Sequence, residues 1–346
     1  MSAPELEGSA PPPPEAAAPT PLERRRRRTW QLVALAWLVR AAVVAGLYAL
    51  GPLYDGKFFL TFMIDVGIFG LIALGLQHLV GGAGVLNLAQ GAFFGLGAYG
   101  GVYSLQHWHW TTLPAFGFGA LVALAGVIVM APLLRLRGIY FAMASFAFGA
   151  ALAEAFGLLT SITGGDNGLY LIPSPRIAGH EFRGYEEYWF LVLTACVVFY
   201  LLFALLARSG YGLSLQSVRQ SEAGARAAGV NVARMHVIAA CLSVLPAAVG
   251  GVLYAQIHGI VQSPVFGFDQ SVTLLTMVII GGVLSRWGAF AGAFVALYLS
   301  DYTQSLKNYQ LLLYGVIIVV LMVVLPDGAA GLVGRLRRLP ARLARA

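Results

Sequence analysis

The sequence predicts an all-α, polytopic transmembrane helical bundle of about ten spans. Three observations predict it: too little charge for a water-facing surface, apolar runs of bilayer length, and arginines sorted into alternate loops. Of 346 residues, 59% are hydrophobic and 11% charged, and the mean hydropathy is +0.77. A soluble domain carries about 25% charged residues, so this chain cannot cover its surface with polar groups. The 42 glycines fit the same class, because glycine lets membrane helices approach closely.

A hydrocarbon core needs about 20 apolar residues per helix. The segments that qualify are 31–50, 58–80, 83–105, 113–134, 139–161, 188–207, 237–257, 272–284, 289–303 and 311–325. The eighth and ninth are short and joined only by Ser285, Arg286, Trp287 and Gly288. They read either as two full spans or as a re-entrant pair. Residues 1–28, with Pro11 to Pro14 and Arg24 to Arg28, read as a disordered basic arm. No small-residue cleavage site closes the apolar run that follows, so the reading is an uncleaved first span rather than a signal peptide.

Placing the arm in the cytoplasm assigns every other loop by alternation. Inside then fall Arg135, Arg137, Arg208, Arg219, Arg226, Arg234 and Arg286, with Arg335, Arg337, Arg338, Arg342 and Arg345 in a basic tail over 335–346. Outside fall Lys57, Arg176, Arg183 and Lys307. This is the asymmetry of the positive-inside rule. The expected organisation is a transmembrane domain over 29–334, a cytoplasmic loop over 208–235, an external segment over 160–187 and both termini cytoplasmic. The net charge of +7 is spent on span ends and forms no stripe interleaved with aromatics, which argues against nucleic acid. Cys196 and Cys241 lie inside apolar runs and indicate no disulfide framework.

The loop over 208–235 is the most distinctive polar segment. Its stretch from Ser221 to Ala228 is rich in helix formers and ends at Gly229, a plausible helix terminator. A short helix, a glycine turn and the next span would make a knob lying along the membrane. Polar groups within spans are costly and face a cavity or a partner. Arg40 and Asp65 lie at similar distances from the outer ends of adjacent spans, which suits a structural ion pair. Asp65 is also a candidate for the translocation path. Asn87 and Gln90, three residues apart on one helical face, serve as interhelical glue or line that path. His78 and His236 read as interfacial, and His107 to Trp110 as an outer aromatic belt, with no metal site expected. Gly165-Asp166-Asn167-Gly168 reads as an external turn with positive backbone φ. Gly-x-x-x-x-Gly-Lys-Ser/Thr does not occur, so no phosphate-binding loop and no catalytic residue are expected. Gly81-Gly82 before Gly91 to Gly95 echoes Gly281-Gly282 before Gly288 to Gly292, as chance or as a trace of duplication.

The loop resembles the coupling loop of ABC importer permeases, whose pattern is Glu-Ala-Ala, a few residues, Gly, then an apolar run with Leu-Pro. Here stand Glu222, Ala223 and Gly224, then Gly229, then Leu245-Pro246. Gly224 replaces the second alanine, and Gly229 falls one place late. Over residues 65–332 the chain resembles, more narrowly, the permeases of high-affinity branched-chain amino-acid importers, the LivM type. The motifs that carry this are GVLNLAQGAFFGLGAY at 84–99, LRGIYFAMA at 136–144, TGGDNGL at 163–169, AAGVNV at 227–232, SPVFG at 263–267 and GGVLSRWG at 281–288. Departures are Ala89, where the family often has glycine, and Leu284 and Arg286, where it favours glycine and a neutral residue.

The resemblance implies an ABC importer permease subunit working by alternating access in a bacterial inner membrane. It implies a second permease chain of LivH type, two ATP-binding cassette subunits that hold ATP and Mg, and a periplasmic solute-binding protein. This chain would bind no cofactor of its own. Arg219, Glu222, Ala223, Gly224, Arg226 and Gly229 would seat in an ATP-binding subunit, and Asp166 and Asn167 would help dock the binding protein. Branched-chain or related hydrophobic amino acids are the implied solutes, with urea, short amides or small carboxylates as alternatives. A stand-alone secondary transporter or channel is the alternative from another class.

Overall fold

The computed structural model describes residues 57–136, 138–304 and 315. The arm over 1–28, the spans expected at 31–50 and 311–325, Arg40, Arg137, Lys307 and the tail over 335–346 lie outside the described residues. The helices are α1 (Lys57–Gln77), α2 (Gln90–His107), α3 (Thr112–Met130), α4 (Ile139–Leu158), α5 (Tyr185–Leu206), α6 (Gly210–Gln220), α7 (Glu222–Ala227), α8 (Val232–His258), α9 (Phe268–Gly281) and α10 (Arg286–Gln304). Short strands β1 (Leu169–Tyr170), β2 (Arg176–Ile177), β3 (His180–Glu181) and β4 (Ile260–Val261) lie among them in the described residues.

Burial separates a central layer from a peripheral one. Across its most apolar stretch α1 is 72% buried and α8 61%, whereas α3 and α4 are each 28% buried. α1 packs on α8, α10, α5 and α9, while α8 also packs on α2 and α3. Glycine sets the closest of these contacts. A Cβ on Gly97 would meet the Ala248 backbone, and one on Gly251 would meet the Phe94 carbonyl. Backbone-to-backbone approach of this kind maximises dispersion contact where lipid offers no hydrophobic driving force between helices. The peripheral helices turn Leu121, Ile128, Val129, Ile139 and Met143 outward, a surface suited to hydrocarbon or to an apolar neighbour.

Among the described residues, five helices are long and apolar enough to cross a membrane, or six if α9 and α10 make one span. The expectation of about ten is not confirmed by this set. Two of its spans lie outside the described residues, and a third is interrupted. That third one, expected over 83–105, is no single helix. α1 runs on through π-helical turns from His78 to Ala83 and stops at Gly84, whose φ of +73° places it in the left-handed region. Residues 84–89 are non-helical, and α2 begins at Gln90. Asn87 is therefore not on a helical face with Gln90, and the one-face expectation for that pair is corrected. Gly84 adopts a conformation that favours glycine, and the Asn87 carboxamide captures the Ala89 N–H at 3.0 Å, an alternative to the helix ladder. Packing against Ser145 and Ser271 supplies the partners that the unwound path needs.

α9 and α10 bend by 119° at residues 282–285. With 14 residues, α9 rises roughly 21 Å, short of a hydrocarbon core of about 30 Å. The pair is thus a broken span or a re-entrant hairpin. Gly281, Gly288 and Gly292 hold its arms together, since a Cβ on each would collide with backbone atoms of the opposite arm.

Contacts sort the loops to two ends. At one end β1 pairs with β4, Gln106 donates to the Tyr170 carbonyl at 3.0 Å, and Thr112 Oγ1 accepts from the Arg176 N–H at 2.7 Å. At the other, Gln77 donates to the Val283 carbonyl at 2.9 Å, and Arg219 donates to the Gly81 carbonyl at 2.8 Å. The segments over 160–187 and 208–235 thus occupy opposite ends. The first is a folded cap, held by β1–β4 and by the β2–β3 hairpin, whose turn uses Ala178 and Gly179 at positive φ. The belt from His107 to Trp110 lies at the same end, with Trp108 packed on Trp110 and Phe118.

Candidate functional site

The polar end of the bundle carries a compact element built from purely local signals. Ser221 caps α7, its Oγ accepting the Gly224 N–H at 3.1 Å, as an N-cap serine does. At the far end Gly229 has φ +81°, its N–H donates to the Arg226 carbonyl at 3.0 Å and the Val230 N–H to the Ala225 carbonyl at 2.9 Å. Those two bonds make a Schellman termination, which needs a left-handed residue where Gly229 stands. Asn231 then caps α8 through the Arg234 N–H at 3.0 Å. Val218, Ala225 and Val232 form a small buried cluster with Val230 and Met235 against it. Six helical residues would not hold in isolation. This cluster and the two caps hold them.

The expected residues fall into three roles. Ala223, Gly224, Arg226 and Gly229 are exposed on the outer face of the knob. Glu222 pairs with Arg226 at 2.8 Å across one helical turn, a partly exposed pair worth about 0.3–0.5 kcal/mol. Arg219 reaches back to the Gly81 carbonyl, and its stem lies beside Gly84. It therefore ties α6 to the point where α1 ends. Tyr211 on α6 adds a second tie, its hydroxyl 3.1 Å from His78 Nε2. Burial pushes the Tyr211 phenol above its ordinary range, so it remains protonated. His78, expected at an interface, is stacked on Phe203 at 4.5 Å.

From Asn87 onward the chain enters the interior, where backbone groups outside the helix ladder need partners. Ser145 on α4 accepts the Leu88 N–H at 3.0 Å, Asn87 accepts that of Ala89, and Ser271 on α9 accepts that of Gly91 at 2.9 Å. Gln90 donates to the Ser243 carbonyl at 3.2 Å and accepts from the Ser243 hydroxyl and the Asn87 amide, each at 3.4 Å. Asn87 and Gln90 are 1% and 0% exposed; Gln90 joins α2 to α8, while among the described residues Asn87 bonds only Ala89 and Gln90 beside it. Ser145, Ser243 and Ser271 escape sequence reasoning, because serines are common in membrane helices and nothing local marks these three.

Asp65 on α1 lies 2.9 Å from His258 Nε2 at the end of α8, and the His258 ring packs on Tyr254 at 4.4 Å. The partner expected for Asp65, Arg40, lies outside the described residues. Asp166 and Asn167 sit in a 3₁₀ turn, Gly165–Asn167, flanked by Gly164, Gly165 and Gly168 at positive φ.

Residues 58–325 match the family model described as the permease component of the branched-chain amino acid transport system. The high-affinity branched-chain amino acid transport system permease protein LivM of Escherichia coli K12 is 30% identical over 288 residues, covering 75% of this chain and 67% of that protein. LivM of Salmonella typhimurium LT2 is equally similar, 30% over 288 residues with the same coverage. No solved structure matches. With a match that spans residues 58–325, the chain belongs to the family of branched-chain amino acid transport permease components.

Proposed function

We propose that this chain is a translocating, non-catalytic subunit of an ATP-driven importer for branched-chain or related hydrophobic amino acids in a bacterial inner membrane. It works beside a second, LivH-type permease chain. Two ATP-binding cassette subunits bind ATP and Mg, and a periplasmic solute-binding protein delivers the solute. The end holding 208–235 is cytoplasmic, the end holding 160–187 is external, and both termini are inside by alternation. The folded external cap, with Asp166 and Asn167 in its turn, suits docking of the binding protein.

The observation that supports this reading best is the doubly capped α7. A short helix with both ends bonded and its own apolar cluster moves as a rigid body, whereas a flexible loop would absorb a push. Its exposed face of small residues suits seating in a cleft on an ATP-binding subunit. Displacement of α7 passes directly into α8 through the Asn231 cap, and from α8 into α2 through Gln90 and Ser243. Arg219 delivers the same displacement to the end of α1. The breaks at 84–89 and 282–285 are the points where helices can tilt without unravelling, in keeping with discontinuous helices at transporter sites. Alternating access then follows from tilting α2 and α8 against α9 and α10.

The test is a reconstituted importer carrying Glu222→Lys. ATP-driven uptake falls by an order of magnitude or more and the ATPase loses its response to loaded binding protein, while membrane insertion stays normal. Unchanged uptake overturns the coupling role.

A further inference from the structure

We propose that the open face of α4 seats a transmembrane helix of a second permease chain, and that this helix carries a basic side chain opposite Glu154. α4 is one-sided. Phe141, Ser145, Gly149 and Phe156 are buried on its inner face, where Ser145 accepts the Leu88 N–H and a Cβ on Gly149 would press on Ala89. On the opposite face Ile139, Met143, Ala147, Ala151, Glu154 and Leu158 are exposed. Their spacing of three or four residues keeps them in one line along the helix. The line runs from the first residue of α4 to its last.

Glu154 is the one charged residue of this 20-residue helix, which is long and apolar enough to cross a membrane. It lies four residues before the end of α4, about 6 Å along the axis. Among the described residues it has no hydrogen-bond or ionic partner. Hydrocarbon suits the other five side chains of the line, but a carboxylate within a span is costly and takes a partner. A basic side chain at the same depth neutralises it, and the low dielectric there strengthens the pair. A second copy of this chain is a poor occupant. A twofold contact through this face sets α4 against α4, with both Glu154 carboxylates at one depth, where like charges repel. The occupant is therefore a different chain. The inference rests on the proposed pairing with a second permease, and not on the coupling role of α7.

The test uses the complete complex, purified into lipid nanodiscs from cells that place the photoreactive residue benzoylphenylalanine at Ala147 or Ala151. Illumination is expected to join each site to the second permease chain, within a membrane-spanning peptide that holds Arg, Lys or His. Adducts with a second copy of this chain, or with lipid alone, overturn the proposal. Charge is tested separately. Glu154→Gln is expected to lower the amount of second permease recovered with this chain at least fivefold, and Glu154→Lys to abolish its recovery. Exchanging the basic residue of the cross-linked peptide for glutamate restores recovery to Glu154→Lys. Native recovery with Glu154→Gln, or no rescue by that exchange, overturns the ionic contact and leaves Glu154 a hydrated carboxylate. The cross-link is read on a chain that keeps Glu154, so misfolding of a charge variant does not shelter the proposal. Absence of any second permease from the complex overturns both this contact and the pairing it rests on, whereas a recovered second permease with no adduct overturns the contact alone. Glu222→Lys leaves the adducts intact, which separates failure of this contact from failure of the coupling role.

Discussion

Gln90 and Ser243 hold each other across the interior through two bonds, from the Gln90 amide to the Ser243 carbonyl at 3.2 Å and from the Ser243 hydroxyl to the Gln90 side-chain oxygen at 3.4 Å. They are 153 residues apart in sequence and both 0% exposed. Pro246 lies three residues further along α8, where its ring removes a helix N–H and crowds the preceding turn. The glutamine thus satisfies backbone beside a point where α8 is weakest.

Gln90→Leu removes those bonds and leaves buried polar atoms on α8. The expected loss is about 1–3 kcal/mol, read as a lower thermal midpoint of the purified complex. Combined with Ser243→Ala, the two substitutions should be non-additive, since the residues share one network. Simple additivity in that cycle removes the claim that they act as a unit.

The two glycines of the knob should respond in opposite directions. Gly224 lies within α7, and an added Cβ there meets only Ser221 at 3.4 Å and beyond, so Gly224→Ala favours the helix by up to about 1 kcal/mol. Gly229 has φ +81°, and Gly229→Ala costs roughly 1 kcal/mol despite open space around it. Hydrogen exchange of residues 222–230 checks both signs.

Close approach makes a sharper contrast. Gly292→Ala drives a Cβ into the Met277 carbonyl, whereas a Cβ on Gly117 meets nothing within 4 Å. The first is expected to cost about 1–3 kcal/mol through overpacking and to lower the yield of folded protein. Gly117→Ala should leave the yield unchanged. Equal yields for both would show that α9 and α10 are not packed as described.

Orientation is testable by labelling. Leu171 is 94% exposed at the end with the β1–β4 ladder, and Gly224 is exposed at the other end. With Cys196 and Cys241 replaced by serine, Leu171→Cys should react with a membrane-impermeant maleimide in intact cells. Gly224→Cys should react only after permeabilisation. The reverse pattern inverts the topology and detaches α7 from any cytoplasmic ATPase.

A double-mutant cycle on Asp65 and His258 should give a coupling of about 0.5–1 kcal/mol, the scale of a partly exposed pair. A coupling of zero would mean that the 2.9 Å contact contributes nothing to stability.

Much of this was legible along the chain. The apolar run predicted at 113–134 is realised as Thr112–Arg135, and that at 188–207 as Tyr185–Leu206, because hydropathy is a local sum. The helix ending at Gly229 was legible for a related reason: a glycine terminator acts within one turn. The break at 84–89 was not. Its residues are apolar and glycine-rich enough to read as helix, and only packing against Ser145 and Ser271 makes an unwound path affordable. The expectation that Asn87 and Gln90 share one helical face failed for that cause, although the two amides still bond.

By itself, then, the sequence determined a membrane bundle, the positions of its long helices, the charged knob at residues 221–229 and the family. Each follows from composition, hydropathy, capping or motif order, which are properties of neighbours in the chain. Tertiary structure alone decided that Gln90 meets Ser243 and that Asp65 meets His258. Those outcomes depend on which helices pack together, because a buried polar group takes whichever partner the fold brings within about 3 Å.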